Sequence, residues 1–236
     1  MRCALTLAYN GTSFLGSQAQ KSSSNTILGN LQKVLSKLSI DSKIVASGRT
    51  DKGVHASGQV CHIDLPSFWY DLEKLKRVLN EMLPPSIQIK VIKEVDAEFH
   101  ARYSAKKRVY RYIIKEAKSN PFEDNFVTFL DSIDFKKIEQ NIKLYVGQHD
   151  FANFMKTGSD TKSSVREVYK AFAYKHKDYI ILNFEANGFL RSQIRLMVAA
   201  LLKLDAKELQ EQLRCEKNHK VKPAPSNGLY LARIKY

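Results

Sequence analysis

Apolar positions in the first half of the chain switch between two periods, and the switching points mark its elements. Positions 2–9 (RCALTLAY) read as a strand; Ile27, Leu28, Leu31, Val34, Leu35 and Leu38 then recur at the spacing of one helix face. Short apolar runs at 43–47 and 58–65 predict two further strands, the second stopped by Pro66. Asp71 is placed to cap a helix with Leu72, Leu75, Leu79 and Met82 on one face, which Pro84-Pro85 ends. Positions 87–95 (IQIKVIKEV) complete the order β-α-β-β-α-β, the ferredoxin-like arrangement.

The second half repeats that order. Positions 108–115 read as a strand, and Asp134 caps a helix carrying Phe135, Ile138, Ile142 and Tyr145. Strands over 165–175 and 179–185 pair around a turn at 176–178. Asn187-Gly188 opens a long apolar helix running to Leu204, followed by a shorter helix over 207–213 and a last strand over 228–236. The halves share little residue identity, so the repeat is one of structure. The expected fold class is α+β: two ferredoxin-like subdomains, with antiparallel or mixed sheets, flanking a central active-site cleft. The connection at 102–106 sets the boundary, giving domains 1–104 and 105–236.

Composition narrows the partner. At 236 residues, 44% hydrophobic and 10% aromatic, the chain can bury a proper core. Its net charge of +14 suits a nucleic acid or another anionic surface. Cys3, Cys61 and Cys215 form no C-x-x-C pair, which disfavours a disulfide framework or a cysteine zinc site and reads as reduced thiols. The six histidines show no metal-ligand spacing, and no N-terminal signal or bilayer-length apolar run is present, so a soluble, cytoplasmic protein is expected. Neither half carries the RNP1 aromatic pattern, yet sheet modules with this charge suit single-stranded or looped RNA.

The candidate chemistry sits in Ser47-Gly48-Arg49-Thr50-Asp51-Lys52-Gly53-Val54-His55-Ala56. One carboxylate, Asp51, stands beside the cations Arg49 and Lys52, which stabilise its negative charge, in a loop with glycine at both ends. A short polar loop between apolar runs is where a scaffold presents a reactive group.

Four segments then resemble one family. Gly48 to Val60, as G-R-T-D-x-G-V-H-A-x-G-Q-V, resembles the catalytic motif of the TruA family of tRNA pseudouridine synthases. Phe99-His100-Ala101-Arg102-Tyr103-Ser104-Ala105 followed by Arg108-x-Tyr110-Arg111-Tyr112 is similar to its junction and second motif. Ala186-Asn187-Gly188-Phe189 leading to Arg195, and Gly228-Leu229-Tyr230-Leu231, resemble its arginine helix and C-terminal strand. The segments occur in family order across nearly the whole chain.

The resemblance implies isomerisation of uridine to pseudouridine at positions 38, 39 and 40 of the tRNA anticodon stem-loop, without metal or cofactor. It implies a homodimer with tRNA as partner. Asp51 matches the essential aspartate, acting as nucleophile at the sugar or as base for its 2′ proton. Arg195 matches the arginine that pairs with that carboxylate; its apolar neighbours Ile194, Leu196, Met197 and Val198 place it on a largely buried helix. Tyr110 matches the tyrosine that packs on the target base, and Leu229 lines the same pocket. Arg49 is expected to contact RNA at a phosphate or in base flipping. Lys52, Arg102, Lys156, Lys162, Arg166 and Arg191 are expected at phosphates, and Arg108 among the substrate-binding residues. The family commonly has aspartate in Y-D-G and tryptophan in G-W-Q, where this chain has Asn10 and Ser17; neither belongs to the expected catalytic set. The alternatives are a non-catalytic RNA-binding protein on the same fold and a hydrolase using Asp51 as a lone carboxylate. The hydrolase is disfavoured because glycoside hydrolysis usually needs a second carboxylate, and Asp64, Glu98 and Asp150 offer one only by being present.

Overall fold

In the computed structural model, residues 1–19, 23, 25–156, 158 and 161–236 are described, and their contacts cluster into two compact units. Unit 1 takes Met1–Lys106 together with Tyr230–Tyr236, and unit 2 takes Lys107–Leu229. The division therefore follows Lys106 rather than residue 104, and the chain's last residues join unit 1 rather than the second half. The chain is α+β, with mostly antiparallel pairing and five α-helices among the described residues.

Unit 1 runs β1 (Arg2–Tyr9), α1 (Ile27–Lys37), β2 (Val45–Ala46), β3 (His55–Asp64), α2 (Leu72–Met82) and β4 (Ile87–Glu94). β1 is central, antiparallel to β3 on one side and β4 on the other, and β2 lies antiparallel to β3. The helices begin where local chemistry says they should. Thr26 Oγ1 accepts the Gly29 N–H at 3.1 Å, and Asp71 Oδ1 accepts the Lys74 N–H at 2.9 Å. α1 buries Ile27, Leu28, Leu31, Val34 and Leu35; α2 buries only Leu75 and Leu79, leaving Met82 exposed.

β3 starts at His55, three positions before the expected 58. The reason is a partner from the far end of the chain: in β10 (Leu229–Lys235), Tyr230 and Leu231 run parallel beside His55 and Ala56. Periodicity within 55–65 cannot register a strand recruited from position 230.

His62 in β3 is buried and neutral by design of its surroundings. Its Nδ1 accepts the Ala101 N–H at 3.1 Å, and burial, then the nearby charges of Arg2 and His100, push its pKa below the usual value. The unfolded chain takes up this proton near pH 6.5, whereas the folded chain resists it. Stability supplied by neutral His62 is therefore present at pH 7.5 and lost as the pH falls below about 6.5. Thermal midpoints at pH 7.5 and pH 5 should differ more for the native chain than for His62→Gln, whose amide oxygen can still accept from Ala101. Identical pH dependence in the two proteins would remove His62 as the source.

Unit 2 runs β5 (Lys107–Glu116), β6 (Thr128–Leu130), α3 (Phe135–Asn141), β7 (Gly147–Asp150), β8 (Val165–His176), β9 (Tyr179–Ala186), α4 (Gln193–Lys203) and α5 (Ala206–Leu213). β9 sits between β5 and β8, β7 extends from β8, all antiparallel, and β6 lies parallel to β5. β6 and β7 are too short to show a period in the sequence. Asp134 caps α3 through the Lys137 N–H at 3.0 Å, and the predicted helix tightens into a 3₁₀ turn at Ile142–Tyr145. There Tyr145 turns inward, its hydroxyl donating to the Met197 carbonyl at 2.9 Å and its ring 6.4 Å from that of Phe184. The helical layer thus covers the sheet face carrying Phe184.

The helix expected from Asn187 begins instead at Gln193. Asn187 is tied back to β8, its N–H donating to the Glu167 carbonyl at 3.1 Å and its Oδ1 accepting the Glu167 N–H at 3.2 Å. Such side-chain bonds to backbone compete with a helix, and Ser192, at φ 59°, lies in the left-handed region where a helix cannot run.

Candidate active site

The Asp51 loop joins β2 to β3 and is pinned on both flanks. At its start Ser47 donates its N–H to the Val60 carbonyl at 2.8 Å and its hydroxyl to Gln59 Oε1 at 2.6 Å. Gln59, fully buried in β3, turns its Nε2 to the Gly48 carbonyl at 2.8 Å. Thr50 is gripped next. Its N–H donates to Ser17 Oγ at 2.8 Å, its carbonyl accepts the Ser17 N–H at 3.0 Å, and its hydroxyl meets the Tyr9 hydroxyl at 2.8 Å. Burial pushes the Tyr9 phenol up to about 12, so it stays a neutral hydrogen-bonding group. Tyr9 and Ser17 bring the end of β1 and the turn after it to the residue immediately before Asp51.

Beyond Asp51 the loop closes tightly. Gly53 adopts φ 77°, and the Val54 N–H donates to the Asp51 carbonyl at 3.2 Å. Val54 is buried against Gly11, where an added Cβ would stand 2.0 Å from the Val54 carbonyl oxygen. His55 Nδ1 accepts the Gly11 N–H at 3.1 Å, and its ring stacks on Tyr230 with centroids 4.7 Å apart. Asp51 is half-buried, with Arg49 and Lys52 exposed beside it. Unit 1 thus offers a carboxylate on a fixed backbone with two cations reaching into solvent.

Unit 2 groups other expected residues. Tyr110 on β5 is half-buried, with its ring edge-on to Phe189 at 5.3 Å. Arg108 donates from Nη1 to the Asn187 carbonyl at 2.6 Å; Arg166 reaches past Gly188 and bonds the Ser163 and Val165 carbonyls at 2.9 and 2.6 Å. Burial, and then the like charge of Arg108, lower the Arg166 pKa. Both guanidiniums reach the Asn187-Gly188 stretch beside Phe189, an arrangement that suits an anion. Tyr112, on the same face of β5, is instead a core residue: it is fully buried, sharing a 2.7 Å bond with Thr128 and donating to the Pro225 carbonyl at 2.9 Å.

Arg195 in α4 is half-buried and locked to one peptide, its Nε donating to the Ala224 carbonyl at 2.6 Å while its own carbonyl accepts the Ala224 N–H at 3.0 Å. Leu229 is buried. Arg102, Lys156, Lys162 and Arg191 are exposed, and the Lys156 N–H donates to the Arg191 carbonyl at 3.1 Å. Of the second carboxylates weighed for hydrolysis, Asp64 is bound to Arg2 at 2.8 Å and Asp150 caps the Ala152 N–H at 3.0 Å.

The model of the tRNA pseudouridine synthase family matches residues 6–104 and 142–236, taking in the Asp51 loop, Arg195 and Leu229. The chain belongs to the tRNA pseudouridine synthase family. Among its relatives, tRNA pseudouridine synthase A of Campylobacter jejuni is 40% identical over 241 residues, covering 100% of both chains. The enzyme of the same name from Wolinella succinogenes is 39% identical over 235 residues, covering 98% of this chain and 92% of its own. That of Helicobacter hepaticus is 36% identical over 240 residues, covering 98% and 97%. This pseudouridine synthase is accordingly an isomerase. Arg108 and Tyr110 fall in the stretch between the two matched segments.

Sequence patterns had left Tyr9, Ser17 and Gln59 without a role in this synthase. Gln59 carried a signal, a buried amide inside an apolar strand. Ser17 carried none, because its partner lies 33 residues away. Asn10 keeps the acceptor an aspartate would supply, its Oδ1 taking the Thr12 N–H at 3.1 Å and the Thr12 hydroxyl at 2.7 Å. Ser17 does something tryptophan has no group for: its hydroxyl satisfies the buried Thr50 amide. Ser17→Ala orphans that N–H at about 1–3 kcal/mol. We expect kcat to fall about tenfold with little change in KM, and Ser17→Thr to retain most of it. Steady-state pseudouridine assays on the three proteins check this.

Proposed function

We propose that the chain isomerises uridine to pseudouridine at positions 38, 39 and 40 of the tRNA anticodon stem-loop, with Asp51 as catalytic nucleophile or base. The observation that carries this reading is the carboxylate's mounting, with the backbone bonded on either side of Asp51 by Ser17 and the Val54 turn, and the Thr50 hydroxyl held by Tyr9. The reaction needs such a fixed group. The bond from uracil N1 to the sugar breaks, the base rotates, C5 bonds to the same sugar carbon, and the C5 proton leaves as N1 regains one. Whether Asp51 attacks the sugar carbon or takes its 2′ proton, a displacement of 1 Å costs orders of magnitude.

The other roles follow from the resemblance, and the grouping of Tyr110, Phe189, Arg108 and Arg166 supports those in unit 2. Tyr110 packs on the flipped uracil; stacking is worth about 1–3 kcal/mol per base, comparable with the few kcal/mol of flipping. Arg108 and Arg166 receive a phosphate beside it, and Arg49, Lys52 and Arg102 meet others. The resemblance alone assigns Arg195 to the charge of the catalytic carboxylate and Leu229 to the base pocket. Unit 1 is then the domain of the aspartate loop, and unit 2 that of the tyrosine and the arginine helix. The strand neighbours β4-β1-β3-β2, all antiparallel, support a ferredoxin-like reading of unit 1. A homodimer is supported by Phe172 and Tyr174, stacked at 6.0 Å and exposed on β8. A cytoplasmic location alongside tRNA completes the proposal.

The test is to incubate the pure protein with unmodified tRNA, map pseudouridine and assay free uracil. Pseudouridine confined to positions 38–40 is expected. Tight tRNA binding without modification would favour the non-catalytic RNA-binding protein, and release of uracil would favour the hydrolase.

A further inference from the structure

Tyr103 is 76% exposed, yet its ring is held in place by its neighbours. It stacks on the His100 ring with centroids 4.4 Å apart and planes 29° from parallel. His100 in turn meets the buried His62 ring edge-on at 5.1 Å, so a column of three rings leads from the core to solvent. The backbone beneath is tied at every residue. His100 Nδ1 accepts the N–H groups of Arg102 and Tyr103, both at 3.2 Å. The His100 N–H donates to Ser104 Oγ at 3.0 Å, and the Ser104 N–H to the His100 carbonyl at 2.9 Å. Ala101, fully buried, donates its N–H to His62 and accepts the Tyr236 hydroxyl at 2.8 Å. The Arg102 guanidinium stands 5.6 Å from the Tyr103 ring centroid and is itself exposed.

This much order around an exposed aromatic does nothing for the core, since the ring buries little. It does matter for association, because a side chain already immobilised loses no rotamer freedom when a partner arrives. A largely exposed ring with an exposed guanidinium over it, 5.6 Å from its centroid, matches one ligand chemistry closely: a nucleotide, its base on the ring and its phosphate on the guanidinium. The net charge of +14 favours that polyanion over an apolar protein surface.

We propose that Tyr103 is a stacking platform for an unpaired nucleotide of the RNA substrate, separate from the base that reacts, and that Arg102 meets the phosphate of the stacked nucleotide. The proposal rests on RNA being the substrate. Any base has a face to stack, so the contact supplies affinity and register without reading sequence.

Affinity for unmodified tRNA, measured by anisotropy on the full chain across a salt series, tests it. Tyr103→Ala should bind about tenfold more weakly at every salt concentration, with an unchanged slope of log affinity against log salt, because a neutral ring releases no counterion. Tyr103→Phe should bind like the native chain. Arg102→Ala should flatten the slope by about 0.7–0.9, the share of one phosphate. Native affinity in Tyr103→Ala, or equal weakening in Tyr103→Phe, overturns the platform. A change in oligomeric state by light scattering with unchanged tRNA affinity overturns it too, and assigns the ring to a second copy of the chain. Pseudouridine mapping on the native protein separates the two readings. If no pseudouridine forms but Tyr103→Ala still weakens binding, the catalytic reading fails and the platform stands; normal pseudouridine with unaltered Tyr103→Ala binding gives the reverse.

Discussion

Replacing Asp51 with Asn is expected to lower pseudouridine formation by about a thousandfold or more, while the protein still folds and binds tRNA. Positioned proton transfer alone is worth about 10²–10⁴-fold, and an amide can neither take a proton at neutral pH nor attack a sugar carbon. The fold should survive because the loop is secured elsewhere. Its bonds run through the Ser47 hydroxyl, the Gly48 carbonyl, both backbone groups of Thr50 and the Asp51 carbonyl, all of which Asn leaves in place. Mapping of pseudouridine, thermal melts and a tRNA titration on the same preparation give the three readouts. Turnover within tenfold of the native protein would remove Asp51 from the chemistry. Loss of tRNA binding together with activity would make it a binding residue.

Gly11→Ala is expected to be among the most destabilising single-atom additions in unit 1. The new Cβ would lie 2.0 Å from the Val54 carbonyl oxygen and 2.6 Å from its carbon, so two backbone segments must separate. The Gly11 N–H also anchors His55, and Val54 closes the Asp51 loop. Overpacking of this kind costs about 3 kcal/mol, which at this chain length lowers the thermal midpoint by about 6–12 °C. Activity should also fall at temperatures where the variant remains folded, because the end of β1 can no longer seat against the Asp51 loop. Gly48→Ala is the control: among the described residues, no atom beyond its chain neighbours lies within 4 Å of its added Cβ, so its midpoint should stay near that of the native chain. Equal melting of the Gly11 variant and the native chain would show that the close approach is not needed.

These two glycines are indistinguishable in the sequence, and the contrast applies more widely. Asp71 and Asp134 were legible as helix caps because each reaches an amide three residues ahead. The hairpin of β8 and β9 was legible for the same reason, its strands being joined by two residues. The Asp51 loop stood out as a carboxylate among cations and glycines, and its segment lies within the family match. Ser17 did not stand out, although it holds the amide beside that carboxylate. The long helix was placed too early because Asn187-Gly188 looks like a start, whereas Asn187 is spent on Glu167 across the sheet.

What the sequence determined by itself is therefore the local layer: periodicities, caps and the reactive loop, all set by interactions that close within a few residues. The tertiary structure decided which distant segments meet. It drew Tyr230 and Leu231 beside His55 and Ala56 and so lengthened β3, gave the last seven residues to unit 1, and set Tyr9, Gly11 and Ser17 against the Asp51 loop. Backbone donors and acceptors are the same on every residue, so a sequence carries little record of which remote pairs will satisfy one another; only the packed chain selects them.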